Sequence, residues 1–283
     1  MKTKEQLIDQ LLDLSFAEDL GDGDHTTLST IPADAMGESR LIIKEDGILA
    51  GVDVARQVLH KVDPSIEMEV FINDGARVKK GDVAFTAKGP VRALLIAERT
   101  MLNIMQRMSG VATMTRRYQD ELEGLHTRVL DTRKTTPGMR MLEKDAVKIG
   151  GGTNHRIGLF DMILIKDNHI DFAGGIEKAI ERANDYCKAN GKDLKIEVEV
   201  RSLDDIRRVL EHGGVDRIMF DNFTPELTRE AVALVGGKVE TESSGGITLE
   251  NLRAYGEAGV DFISVGALTH SVKGLDMSFK AVK

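Results

Sequence analysis

Between Thr127 and Val265 the chain alternates short β-like runs with stretches of helical length and period. The runs are Thr127–Leu130, Met162–Ile165, Lys195–Val200, Arg217–Phe220, Lys238–Thr241 and Phe262–Val265. Between or after them lie Gly175–Asn190, Ser202–Glu211, Pro225–Val235 and Leu249–Ala258. Parallel neighbours need a crossover of a dozen or more residues, so this alternation predicts an α/β fold with a parallel sheet. A closed eight-stranded barrel and a doubly wound open sheet both satisfy it. Six clear strands favour a barrel that stops short of eight. In either solution, Asp131, Lys166, Glu199, Asp221, Ser243 and Gly266 fall at or just beyond strand carboxyl ends, where such folds gather their chemistry.

The pattern changes character near residue 90. Before it, β-rich pieces such as Leu41–Lys44 and Glu67–Ile72 flank a helical stretch over Val52–Val62, which reads as a small α+β unit. Within it, Asn73–Asp82 resembles the hairpin of a biotinyl or lipoyl carrier but lacks the lysine tip, so it reads as two turns. Glu18–Thr27 has acids at Asp22 and Asp24 but Thr26, Thr27 and Ala33 where a calcium loop needs an oxygen ligand, a glycine and an acid; it reads as a solvated turn. A long helix is predicted from Val91 to Leu122, its methionines filling core. Arg99 and Arg107 lie among those apolar positions, and packing gives them no reason.

Charge narrows the function. Lys and Arg total 38 against 46 Asp and Glu, a formal charge of -8, which disfavours nucleic acid and anionic membrane as partners. Yet Arg133, Lys134, His155, Arg156 and Lys166 cluster around glycine-rich turns, as a pocket for a multiply anionic small molecule would require. Taken singly, each charge has a plain explanation: Glu197 or Glu199 a solvent-facing strand acid, Lys166 a snorkelling strand end, Asp221 a helix N-cap. Their coincidence at one face weakens that account. Ser243–Gly246 and Val265–His270 follow the last two strands, where their amides can cradle a phosphate. Glu199 and Asp221 can hold Mg²⁺ with phosphate oxygens and water completing its shell, and no His/Cys cluster suggests zinc. The opening segment is broken by Glu5, Asp9 and Asp13, no run reaches membrane-span length, and Cys187 stands alone, so a soluble cytoplasmic protein is expected.

Several runs together resemble one family. Glu18-Asp19-Leu20-Gly21, Arg99-Thr100-Met101-Leu102-Asn103, Asp131-Thr132-Arg133-Lys134-Thr135-Thr136-Pro137-Gly138, Gly151-Gly152-Thr153-Asn154-His155-Arg156 and Lys166-Asp167-Asn168-His169 are similar to quinolinate phosphoribosyltransferases. So are Glu197-Val198-Glu199-Val200, Asp221-Asn222, Glu242-Ser243-Ser244-Gly245-Gly246 and Gly266-Ala267-Leu268-Thr269-His270-Ser271. The resemblance implies an N-terminal α/β sandwich domain over 1–107, with the tail 272–283 available to complete it, and an incomplete α/β barrel over 108–271. It implies phosphoribosyl transfer from 5-phosphoribosyl 1-diphosphate to quinolinate with loss of CO₂, giving nicotinate mononucleotide and diphosphate for NAD biosynthesis.

The same resemblance implies roles. Arg133, His155, Arg156 and Lys166 would bind quinolinate, joined by Arg99 from a second subunit of a homodimer. Thr132, Ser244, Gly245, Gly246, Val265, Gly266, Ala267 and His270 would complete the substrate-binding set. Lys134, Glu199 and Asp221 would be catalytic, the two acids also holding Mg²⁺. Two different readings stand beside it: a ModD-like paralogue acting on another substrate, and an aldolase-type lyase using Lys166 as a Schiff-base amine. A metabolite-binding protein without activity is a third class, for which Mg²⁺-type acids and two phosphate turns would be superfluous.

Overall fold

Side-chain caps set several helix starts. Thr3 and Gln6 form a reciprocal capping box before α1 (Lys4–Leu20), and Asp24 accepts from the Thr27 amide before α2 (His25–Thr30). The acidic run over residues 18–27 is thus the end of one helix and the cap of the next, with Asp24 committed to a backbone amide.

The computed structural model describes residues 2–282. It divides into two units, the first made of Met1–Arg116, Thr135–Gly151 and Leu268–Lys283. In that unit β1 (Met36–Ile43), β3 (Glu67–Val70), β5 (Val83–Pro90) and β12 (Met277–Ala281) form an antiparallel sheet in the order β12-β1-β5-β3. A two-stranded ladder joins β2 (Gly47–Ile48) to β4 (Arg77–Val78). The unit also contains α3 (Val52–Val62), most of α4 (Val91–Glu121) and α5 (Arg140–Ile149). Leu41, Ile43, Phe85 and Ala87 are fully buried, and Phe279 of the C-terminal strand packs its ring 6.2 Å from that of Phe85. The chain's last strand therefore closes the core begun by its first.

The second unit comprises Arg117–Lys134 and Gly152–Ala267. Its strands are β6 (Arg128–Leu130), β7 (Ile163–Ile165), β8 (Ile196–Val200), β9 (Arg217–Asp221), β10 (Glu240–Ser244) and β11 (Phe262–Ser264). All neighbours are parallel in the order β6-β11-β10-β9-β8-β7, an α/β barrel left open between β6 and β7. The intervening helices are α6 (Asp167–Ala173), α7 (Ile176–Ala189), α8 (Leu203–His212), α9 (Pro225–Val235) and α10 (Leu252–Glu257), with α11 (Ala267–His270) after the last strand. Ser202 caps α8 and Thr224, followed by Pro225, caps α9. The strand expected over 238–241 lies instead at 240–244, because left-handed Gly236 and Gly237 keep Lys238 in the preceding turn.

Register explains the polar strands. Glu197 pairs with Arg217, Glu199 with Met219, Glu240 with Arg217 and Glu242 with Met219. Side chains two apart share a face, so Glu197, Glu199, Arg217, Met219, Glu240 and Glu242 point to one side of the sheet. That side is enclosed: all five positions of β8 are buried, Glu197 completely. The solvent-facing reading of Glu197 and Glu199 is corrected accordingly, since in a curled sheet the alternate face is the barrel interior.

Replacing Phe279 by Ala removes a 4%-exposed ring from the first unit's core. It is expected to lower stability by about 3 kcal/mol, read as a shifted midpoint in urea denaturation.

Candidate active site

The barrel interior carries a compact charge cluster. His155 Nε2 lies 2.9 Å from Glu197 Oε2 and 3.4 Å from Glu242 Oε2, while Arg217 Nη1 donates to Glu242 Oε2 at 3.0 Å. Arg217 also donates to Glu240 and stands 4.3 Å from the Phe262 ring centroid. Burial pulls the His155 pKa down, but the two carboxylates outweigh it and raise the group from 6.5 to about 9. Burial, then the Glu242 charge, push Glu197 up to about 7, whereas Glu242, fully buried, is held low overall by His155, Arg217 and Ser264. His155 Nδ1 lies 2.7 Å from the Arg156 amide nitrogen, which turns Nε2 toward the two acids. The cluster as a unit therefore retains a proton between imidazole and carboxylates.

Among the described residues, these same three, His155, Glu197 and Glu242, are the group whose ligand atoms could converge on a metal ion. Arg217 already pairs with Glu242, and a cation placed there would meet a guanidinium. We read the cluster as a self-neutralised support for His155.

The backbone around it is pinned. Segment 153–155 runs alongside β6: the Thr153 amide donates to Val129 O at 2.9 Å, and buried Asp131 accepts from the His155 amide at 2.9 Å. The Thr132 hydroxyl accepts from the Lys134 amide at 3.1 Å, turning the following loop. The result is a pocket of about 400 Å³ lined by Thr132, Arg133, Lys134, His155, Arg156, Lys166 and Ser244 among others. Burial and then the Arg133 charge lower the Arg156 pKa, so the pocket holds like charges that an anion would relieve. Lys166 Nζ meets Glu199 Oε2 at 2.5 Å.

Not every expected residue lines this pocket. Glu199 joins it only through Lys166, and Asp221 accepts from the Asn222 side chain at 3.0 Å at the end of β9. Gly245, Gly246, Val265 and Gly266 form the turns after β10 and β11, Ala267 opens α11, and His270 ends it with Nδ1 2.6 Å from Ser271 Oγ. Gly245 has φ +95°, and a β-carbon there would overlap the Asn222 side chain, while the Asn222 amide donates to Ser244 O at 2.8 Å. The turns after β9 and β10 thus interlock. Arg99 lines a different hollow, within the first unit, with Glu18, Asp19 and Asn103. His169, Met219, Glu242 and Ser264 line the pocket without having been singled out as site residues, and Glu197 supports His155 from beneath. The one signal for the acids was Glu-Val-Glu spacing on a strand, which by itself does not say which face is covered.

As regards metal, two carboxylates at the ends of adjacent strands suit Mg²⁺ that arrives on a phosphorylated substrate, because Mg²⁺ takes one or two protein carboxylates and fills its octahedron from phosphate and water.

A parallel open barrel with a cation-lined pocket at its strand carboxyl ends, in a chain that also carries an antiparallel unit, defines a phosphoribosyltransferase of the quinolinate type. Residues 24–109 match the family domain described as "Quinolinate phosphoribosyl transferase, N-terminal domain" and residues 111–280 the one described as "Quinolinate phosphoribosyl transferase, C-terminal domain". The chain belongs to the quinolinate phosphoribosyltransferase family. It is 46% identical over 285 residues to quinolinate phosphoribosyltransferase [decarboxylating] 1b of Nicotiana tabacum, covering 95% of this chain and 81% of that protein. Identity is 44% over 269 residues to a probable nicotinate-nucleotide pyrophosphorylase [carboxylating] of Bacillus subtilis, covering 95% and 91%. Among solved structures, NadC from Streptococcus pyogenes superposes with TM-score 0.92 at 37% identity, covering 100% of this chain and 99% of that one.

Because the folded-state pKa of His155 is raised, the folded protein holds its proton more tightly than the unfolded chain. The stabilisation is complete below about pH 6.5 and is lost as pH rises through about 9. Melting temperature is therefore expected to fall across that window, and Glu242→Gln to flatten the fall; a parallel pH profile in the variant would separate the cluster from the effect.

Proposed function

We propose that the chain catalyses decarboxylating phosphoribosyl transfer from 5-phosphoribosyl 1-diphosphate to quinolinate, giving nicotinate mononucleotide, CO₂ and diphosphate. The observation that carries this is the single pocket on which Arg133, Lys134, His155, Arg156 and Lys166 converge. Quinolinate is a planar dicarboxylate, and guanidinium forks match carboxylates two bonds at a time. A monocarboxylate would leave the mutual repulsion of Arg133 and Arg156 less well answered.

The pyridine nitrogen attacks ribose C1 with its own lone pair, so no general base is needed and none of the Ser/His/Asp type is required. Diphosphate departs with the bonding electrons. Glu199 and Asp221 stabilise the oxocarbenium character that develops at C1 and orient the ribose hydroxyls. Mg²⁺, when carried in by the diphosphate, would be held by the same two acids and would offset the leaving group's charge. The ring nitrogen, now cationic, stabilises the electron pair left on the neighbouring ring carbon as its carboxylate leaves as CO₂, and that carbon then takes a proton from solvent to give nicotinate mononucleotide. Lys134 orients that carboxylate without over-stabilising its charge, which would oppose its loss. The turns after β10 and β11 present amides to phosphate. A Lys166 Schiff base is disfavoured by the ammonium's ion pair with Glu199.

The proposal includes a homodimer in which Arg99 of one copy completes the pocket of the other, giving that helix-borne arginine a role. A cytoplasmic site of action accords with the acidic composition and lone cysteine. Among the described residues no helix is long and apolar enough to cross a membrane.

The deciding experiment follows nicotinate mononucleotide and CO₂ with quinolinate and with nicotinate as the acceptor. Turnover of quinolinate alone is expected; turnover of neither by folded protein would favour a paralogue acting on another substrate. Arg133→Ala is expected to raise the KM for quinolinate by roughly tenfold to a hundredfold, and Asp221→Ala to act mainly on the diphosphate sugar. Equal effects on both substrates would refute that division. Verified mixed dimers of Arg99→Ala and Arg133→Ala chains are expected to regain activity that neither homodimer has.

A further inference from the structure

Arg107 sits midway along α4, and none of the roles above uses it. Its guanidinium is nonetheless fully engaged. Nε donates to Glu143 Oε1 at 2.8 Å, Nη1 to Val272 O at 3.1 Å, and Nη2 to Thr136 Oγ1 at 3.3 Å and to Thr269 O. Glu143, on α5, is completely buried, and its second oxygen accepts from the Thr136 amide at 3.1 Å. From α4, one ion pair therefore ties α5 and the loop that leads into it to the chain from α11 to Val272, more than a hundred residues further on.

Both tied segments continue directly into residues assigned above to substrate. Thr136 is two residues after Lys134 and three after Arg133, and Thr269 is two after Ala267 and precedes His270. Among the described residues, helix and strand hydrogen bonds do not hold 132–138 or 271–276, so side-chain bonds carry more of the ordering there. A planar fork with fixed donor directions can fix two loops at once, whereas a point charge on a flexible stem cannot. We propose that Arg107, seated on Glu143, is a positioning residue that holds the loop after β6 and the turn after β11 in the geometry their substrate-facing residues need. The inference rests on the phosphoribosyl-transfer reading for what those residues contact, but the clamp itself can be tested without it.

Arg107→Ala would strand the buried Glu143 carboxylate and risks unfolding the protein. Arg107→Lys keeps the charge beside Glu143 and loses the fork. The experiment measures amide hydrogen exchange in the full-length variant together with steady-state kinetics. Faster exchange confined to 132–138 and 266–272, by about tenfold or more, is expected. With it, kcat should fall by roughly tenfold to a hundredfold, with a smaller change in either KM, because bound substrates are misaligned rather than unbound. Glu143→Gln, which keeps the acceptor for the Thr136 amide, should loosen the 266–272 segment more than the 132–138 loop. Unchanged exchange in both segments overturns the clamp, as does acceleration spread evenly through the first unit, which is what a purely structural ion pair would give. Should the wild type fail to turn over quinolinate, the functional reading fails while the exchange pattern still decides the clamp.

Discussion

The enclosed charges of β8, β9 and β10 are the constraint on which the site depends. Two carboxylates inside a barrel would each cost several kcal/mol if left alone. Arg217 on the neighbouring strand neutralises one, and the His155 imidazole shares its proton with both. The arrangement works because parallel register sets Glu197 and Arg217 side by side, with Glu242 two residues further along on the same face. It also fixes the face that His155 presents, since its Nε2 is turned to the acids and its Nδ1 to the Arg156 amide. The cationic pocket is thus built on an anionic floor, which lowers the cost of gathering five basic side chains with no ligand present.

Above that floor, the remaining cations are set by loops rather than strands. Asp131 anchors the His155 amide, Thr132 turns the chain toward Lys134, and Glu199 holds Lys166. Each anchor is an acid or hydroxyl at or just beyond a strand end, and the Glu199–Lys166 pair joins two successive crossovers. The two arginines bring planar forks with fixed donor directions to the pocket wall, while Lys134 brings a compact charge on a flexible stem. The first unit follows the same logic of closure: its last strand, Met277–Ala281, returns to pair with Met36–Ile43 and complete the antiparallel sheet.

Much of this was legible in the chain. Helices over 52–62 and 225–235 match their expected ends, and the long helix differs by a single residue, because apolar period and cap residues are local signals. The six parallel strands were legible from alternation, with β10 displaced because two successive left-handed glycines lengthened the turn before it. The cationic pocket was legible too, from the clustering of Arg133, Lys134, His155, Arg156 and Lys166 around glycine turns. The supporting acids were not: Glu197, like Glu199, had a solvent-facing reading and Glu242 had no role of its own, because alternation on a strand says that faces differ, never which one is covered. Arg107 was visible only as a charge without a reason, since its four acceptors come from residues 136 to 272.

The sequence by itself determined the α/β class, the parallel sheet and the basic residues at the strand ends, since each is written in short-range pattern and residue type. Only the tertiary structure decided that the acids of β8 and β10 face inward onto His155, that Arg217 pairs with those of β10, and that Arg107 and Glu143 bind distant loops together. Those outcomes depend on strand register and on crossovers that bring residues from 25 to 165 positions apart within hydrogen-bonding distance, and no local pattern encodes that distance.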